Sequence, residues 1–406
     1  MRKTFGQILE ENKGAGPGFD ALRLALALAI LLAHLASVGG TRGVFAEFWN
    51  LLASLYSASP PDVVLNGQAT TLSVVVGAEH TGAAPPAGLA QPGVTMPLVL
   101  THVPMFFALS GFLVSGSAFR TKKVGPFLAL RFFRIFPALC VEVVLSAVLI
   151  GAFFTSLPLM MYFQDSLFWS YLGNILGIVQ MELPGVIFSG SGDKHALNAN
   201  LWTLPSEFYS YAVLAILMIS TIVFNRYIYT IIFALVSIIL LIIDLTTSYN
   251  PEVLSGSTNI YYFFVGVTFY QWRNHIPYNY ALFVLSAVAS YFLITKPYGV
   301  YLAPLFVAYV AMFIGLSRIP KSKILQSGDY SYGIYLYGFP ISQALVQIFP
   351  ALRNNFFGLA VPAILLTGLF SYFSWHLVEK KFLKLKKRFS ASSAKITETL
   401  HPGTAG

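Results

Sequence analysis

Apolar runs about as long as a bilayer is thick recur along the chain, each closed by a short polar, glycine- or proline-bearing stretch. A helical span needs about 20 predominantly apolar residues. Ten runs fit that length, roughly 20–39, 98–118, 135–156, 201–224, 227–245, 258–272, 279–295, 299–316, 331–350 and 356–378. The pattern predicts an all-α polytopic membrane protein, a bundle of about ten transmembrane helices. A further apolar piece, near 166–180, is read as re-entrant or lying on the outer surface. Counting it as a span would reverse every later loop and put the basic run at 380–388 outside.

Lysine and arginine set the orientation. With the N-terminus in the cytoplasm, the inner segments hold 20 of the 25 and the outer segments 4, namely Arg42, Lys194, Lys296 and Arg353, with Arg23 inside the first span. Both termini are therefore expected in the cytoplasm. Residues 1–389 read as one membrane domain and 390–406 as a disordered cytoplasmic tail. The long outer segment 40–97 either covers an outward-facing site or is a tolerated insertion. A second outer segment, 157–200, ends in the polar turn SGSGDKHALNAN. The stretch KKFLKLKKRF, 380–389, suits a basic surface helix on anionic lipid. No internal repeat is evident.

Composition agrees. With 56% hydrophobic residues, 10% charged and a mean hydropathy of +0.70, the chain cannot form an ordinary soluble domain. The net charge of +9 follows membrane topology, so nucleic acid is not an expected partner. Met1 to Phe19 is polar and mixed in charge, so the first span is expected to be an uncleaved anchor. Cys140 is the single cysteine and falls in a span, which excludes an intrachain disulfide.

Candidate chemistry starts in the first span, where Arg23 and His34 lie eleven residues apart. That spacing puts both on one helix face, roughly 16 Å apart along the axis. Titratable groups inside spans usually face a polar interior. Arg23 also suits snorkelling to lipid phosphate, and His34 a hydrogen bond to a neighbouring helix. In the second span Ser110, Gly111, Ser115, Gly116 and Ser117 form a small-residue face suited to close helix packing. Arg131 and Arg134 share a face at the expected cytoplasmic boundary, where lipid headgroups and a phosphate-rich cosubstrate such as coenzyme A both fit them. Among the intramembrane acids Glu142, Glu207 and Asp244, only Glu207 shares the predicted depth of His34, roughly 8–9 Å from the outer surface. A carboxylate there would orient the imidazole as a general base; a plain polar bridge between helices is the alternative.

Taken together, Arg23 and His34, FFALSGF at 106–112, RFFR at 131–134, LWTLPSEFY at 201–209, GDYSYGIYLYGFP at 328–340 and WHLVEKK at 375–381 resemble the membrane acyltransferase-3 family, in order and over nearly all the membrane part. The resemblance implies a ten-span enzyme of the bacterial inner membrane that moves an acyl group, usually acetyl from acetyl-CoA, to hydroxyls of surface or lipid-linked glycans. It implies acetyl-CoA as a donor cosubstrate rather than a bound cofactor, and no metal. By this resemblance Arg23 and His34 are the family's first-span pair, Arg131 and Arg134 its RxxR, Phe107, Ser110 and Gly111 its FxxSG, and Glu207 the glutamate of WSLxxE. Gly338 stands where many relatives carry histidine, the loop at 40–97 is long, and no esterase-like domain follows the tenth span, as in the stand-alone branch. The expected mechanism has coenzyme A phosphates on Arg131, Arg134 and Arg23, the thioester near His34, and His34 oriented by Glu207. Direct transfer and an acyl-enzyme on His34 or Ser110 both remain open. A secondary transporter of a small polar solute, or a non-catalytic membrane protein, would use the same buried charges, though a transporter should show paired broken helices.

Overall fold

A computed structural model describes residues 3–14, 16–41, 96–190, 194–247, 254–296, 299–320 and 326–384. Most of the long outer loop (42–95), the basic run from residue 385 and the tail expected at 390–406 lie outside these described residues. The elements in chain order are α1 (Phe5–Glu11), α2 (Phe19–Val38), α3 (Met96–Thr121) and α4 (Val124–Leu145), then α5 (Leu159–Gln164) and α6 (Ser166–Leu172). They continue with α7 (Leu204–Ile219), α8 (Arg226–Thr247), α9 (Gly256–Gln271), α10 (Tyr280–Leu293), α11 (Gly299–Leu316), α12 (Ser331–Ile348) and α13 (Phe356–Phe373). The described residues form helices joined by turns and loops, with two isolated β-bridges, Thr4 to Pro277 and Thr155 to Val186.

Among the described residues seven helices are long and apolar enough to cross a membrane: α2, α3, α4, α7, α8, α11 and α13. Helices also occupy the remaining predicted stretches, but α9 and α10 are short, and α12 carries Ser331, Ser342 and Gln343 in its buried face. The physical reason lies in their surroundings. The outer helix α8 must be apolar because lipid touches it, and Ile231, Leu235, Ile239 and Leu245 are all more than half exposed. The interior helices α9 and α12 are wrapped by protein instead of hydrocarbon, and on α12 the Ser342 hydroxyl and the Gln343 amide donate to the carbonyls of Gly338 and Ala196.

Small residues set the tightest crossing. A Cβ on Gly111 of α3 would fall 1.9 Å from the Phe263 carbonyl oxygen of α9, and one on Gly266 of α9 would fall 2.0 Å from that of Ala108. The two glycines let the backbones touch at this crossing. Both ends of the α4 and α13 charge sites show a wider turn. α4 continues through a π-helical turn at Ser146–Gly151, directly after Glu142, and α13 continues through another at Ser374–Glu379.

Between α4 and α7 the surface segment agrees with expectation, and the polar turn after it departs from expectation. Residues 166–180 form the short α6, a 3-10 turn and a loop folded back by Asn174, whose amide donates to the Tyr171 and Gln180 carbonyls. The part that descends into the bundle is the following one. The Ser189 amide donates to Gln347 Oε1, Gln343 Nε2 donates to the Ala196 carbonyl, and Asn198 and Asn200 donate to the carbonyls of Leu336 and Tyr335. The partners step down α12 from residue 347 to 335, roughly 18 Å of helix. What reads in sequence as an outer polar turn, ALNAN, is buried, and the side-chain amides of Asn198 and Asn200 donate to carbonyls of α12. α7 therefore starts deep in the bundle.

Candidate active site

α2 presents Arg23 and His34 to α12 at two levels. Arg23 Nη1 lies 2.6 Å from Asp329 Oδ2, just before α12, and the His34 ring meets Phe339 edge-on at 5.0 Å. Phe339 is ten residues beyond Asp329, so the predicted separation of the two groups along one face is the arrangement in the fold. Gly338 lies against Leu31, where a Cβ would fall 2.9 Å from Leu31 Cδ1, the flexible end of that side chain.

The level of Arg23 holds an ionic cluster. Arg134 Nη2 also lies 2.6 Å from Asp329 Oδ2, and its Nη1 is 3.6 Å from Glu379 Oε2 at the end of the π turn of α13. Asp20 adds a contact to Arg23 at 3.3 Å. The Ser331 hydroxyl donates to Asp329 Oδ1 at 2.6 Å. Burial by itself would raise the Asp329 carboxyl, but Arg134 and Arg23, with the Ser331 hydroxyl and amide, outweigh it and hold the group well below the usual aspartate range. The cluster ties α2, α4, α12 and the end of α13 together.

Arg131 turns to a different carboxylate. It lies beside Tyr211 and within electrostatic reach of Glu207, while the Tyr211 phenol donates to Glu207 Oε1 at 2.5 Å. Ser110 is next to the same phenol. Glu207 is also within reach of Arg134, which places it toward the Arg23 end of α2. The expected depth match of Glu207 with His34 is thus corrected. It assumed that α7 starts at the outer surface, whereas residues 194–200 run along α12 inside the bundle before α7 begins. Glu207 accordingly orients Tyr211 and Arg131, on a level away from the imidazole.

The arginines expected to meet phosphate also have partners within the protein. Arg23 and Arg134 meet on Asp329, so their charges are compensated inside the protein. Sequence reasoning quoted the segments that contain Asp329 and Glu379 without giving either residue a role. The available signal was an acid beside a predicted span end facing two intramembrane cations. Tyr211, one turn past Glu207, was equally legible as an i, i+4 partner. Glu142 is held in a separate buried site, its Oε1 accepting from Ser146 at 2.7 Å and Asn198 at 2.9 Å. Asp244 accepts from Tyr301. Among the described residues no group of three histidine, cysteine or acidic side chains is placed to hold a metal.

Two curated relatives are similar to this chain in sequence. The O-acetyl transferase of Shigella phage Sf6 is 26% identical over 292 residues, covering 69% of this chain and 83% of its own. Nodulation protein 10 of Rhizobium leguminosarum bv. viciae is 26% identical over 317 residues, covering 70% of this chain and 82% of its own. No solved structure matches. The family described as an acyltransferase domain matches residues 17–376, nearly the whole membrane bundle, and the chain belongs to this membrane acyltransferase-3 family.

Proposed function

We propose that this membrane acyltransferase carries an acetyl group from cytoplasmic acetyl-CoA to a hydroxyl of a surface or lipid-linked glycan, with His34 as general base. The observation that carries this reading is the α2 face. It sets an imidazole about three turns beyond an arginine anchored on Asp329, inside a bundle whose family is acyltransferase. The name of the phage relative supports acetyl as the group and oxygen as the acceptor atom. The positive-inside bias supports the α1 face as cytoplasmic.

In the step, His34 takes the proton of the sugar hydroxyl and the alkoxide oxygen attacks the thioester carbonyl. The C–S bond breaks, and the departing thiolate recovers the proton from the imidazolium. Ser110 hydrogen-bonds with the Tyr211 phenol, beside Glu207 and Arg131, which favours direct transfer over an acyl-enzyme on Ser110. Arg23 is a positioning residue that fixes α2 against α12, and Glu207 positions Arg131 and Tyr211.

The test is purified protein with acetyl-CoA and a panel of glycan acceptors, read as free thiol released and acetyl ester formed. Acceptor-dependent release that disappears in His34→Ala, with insertion unchanged, is the expected result. Undiminished transfer in His34→Ala would remove the base from this mechanism. Sequential kinetics in both substrates is expected, and a ping-pong pattern would restore an acyl-enzyme.

A further inference from the structure

Where α4 and the continuation of α13 to Lys384 run side by side, on the α1 side of the bundle, they leave a cleft of about 400 Å³. One wall is Phe132, Phe136 and Cys140, a stripe of every fourth residue on α4 whose first two rings stack at 4.5 Å. The other wall is Leu377, Val378 and Phe382. Phe132, Leu377 and Phe382 are 50%, 57% and 41% exposed, so in a membrane the cleft opens to lipid. Behind it, on the protein side, Arg134 and Glu379 join the two walls at 3.6 Å.

Apolar walls alone would accept any lipid tail, and the rim adds the selection. Lys380, Lys381 and Lys384 follow Leu377 at i+3, i+4 and i+7, a stripe that leads out of the cleft. Lys381 and Lys384 are exposed. Among the described residues none of the three lysines has a carboxylate within ion-pair distance. Along the helix axis Lys381 and Lys384 lie roughly 6 and 10 Å beyond Leu377, while Phe132 to Cys140 spans roughly 12 Å of α4. Cations at the mouth of an apolar slot match an anion carried on a hydrocarbon tail. A soluble phosphate compound would leave the walls bare, and a zwitterionic lipid would bring its own ammonium against the lysines.

We propose that this cleft is a binding site for one anionic phospholipid of the leaflet on the α1 side, with an acyl chain against Phe132, Phe136 and Cys140 and the phosphate on Lys381 and Lys384. The positive-inside bias makes that leaflet the cytoplasmic one. The seated lipid bridges α4 and the end of α13 from outside, opposite the Arg134–Glu379 contact. The site stands apart from the acyl donor and acceptor and does not rest on the proposed reaction.

The experiment uses the full chain in detergent micelles. Cys140, the single cysteine, lines the cleft and so reports its occupancy. Phosphatidylglycerol added to the micelles should slow alkylation of Cys140 by monobromobimane and raise the melting temperature. Phosphatidylethanolamine with the same acyl chains should need about tenfold more lipid for the same protection, and glycerol 3-phosphate should give none. Lys381→Gln combined with Lys384→Gln should weaken protection by phosphatidylglycerol about tenfold or more. Lys122→Gln combined with Lys123→Gln, at exposed lysines outside the cleft, should leave it unchanged. No protection by phosphatidylglycerol, or equal protection by the two lipids, would overturn the site, the second leaving a groove for any tail. Protection by glycerol 3-phosphate would make it a soluble-anion site, and an equal loss in the Lys122 and Lys123 variant a general surface-charge effect; either result overturns the proposal. Should the lysine variants fail to fold, the comparison of the two lipids on wild type decides alone.

Discussion

Asp329→Asn tests the ionic cluster most directly. Two guanidinium nitrogens, from Arg23 and Arg134, meet one carboxylate oxygen at 2.6 Å each. The amide would leave two cations facing each other with no anion between them. Removing one partner of a buried pair costs about 3–5 kcal/mol. The side chains keep 18–23% of their surface exposed, so the lower end, about 3 kcal/mol, is expected. For a chain of this size that corresponds to a melting temperature roughly 3–4 °C lower. Tryptophan fluorescence of the purified protein during heating in detergent would read it. A double-mutant cycle with Arg134→Met isolates the pair, and the double variant should lose less than the two singles combined. A melting temperature within about 1 °C of wild type, or strictly additive losses, would refute the cluster as a structural tie. Arg134→Lys should rescue only partly, because one ammonium cannot address Asp329 and Glu379 from two fixed nitrogens. Acid should not mimic the mutation in the ordinary range. The Asp329 carboxyl is depressed, so its contribution is complete above the unfolded aspartate value of about 4 and fades only below it.

Further outcomes follow from other parts of the fold. Glu207→Gln should lower turnover while leaving in place the acidic limb of the pH–rate profile set by His34, because Glu207 partners Tyr211 and Arg131; loss of that limb would return Glu207 to the imidazole. Gly111→Ala should destabilise by about 1–3 kcal/mol through overpacking, since its Cβ would meet the Phe263 carbonyl oxygen at 1.9 Å; a normal melting temperature would show that the α3–α9 crossing relaxes freely. In a Cys140→Ser background, Gly125→Cys should label from the cytoplasm and Ala351→Cys from outside; labelling from one side only would overturn the orientation.

Helix positions were legible because lipid imposes an unbroken apolar run, and the period of α2 was enough to set Arg23 and His34 on one face. Pairings between distant segments were not legible. Nothing near Arg134 in sequence announces Asp329, 195 positions away. Glu207 was misplaced in depth because counting residues from a span's start presumes that the span starts at the membrane surface. The ALNAN segment is polar, which ordinarily marks an outer loop, but α12 offers glutamine side chains and open carbonyls that let it descend. The paired glycines of α3 and α9 were readable as small residues, though their partners were not.

The π turn at Ser374–Glu379 bears on how the site could have arisen. A π turn holds one residue more than the α-helical turn it replaces. Each residue rotates a helix by about 100°. Deleting one position there, for example the exposed Leu377, would restore a regular helix and leave Glu379 facing Arg134, because the wider turn already absorbs the rotation of the extra residue. A single codon can therefore be inserted or deleted in this turn with the Arg134–Glu379 pair kept, a step that a survey confined to point substitutions would miss.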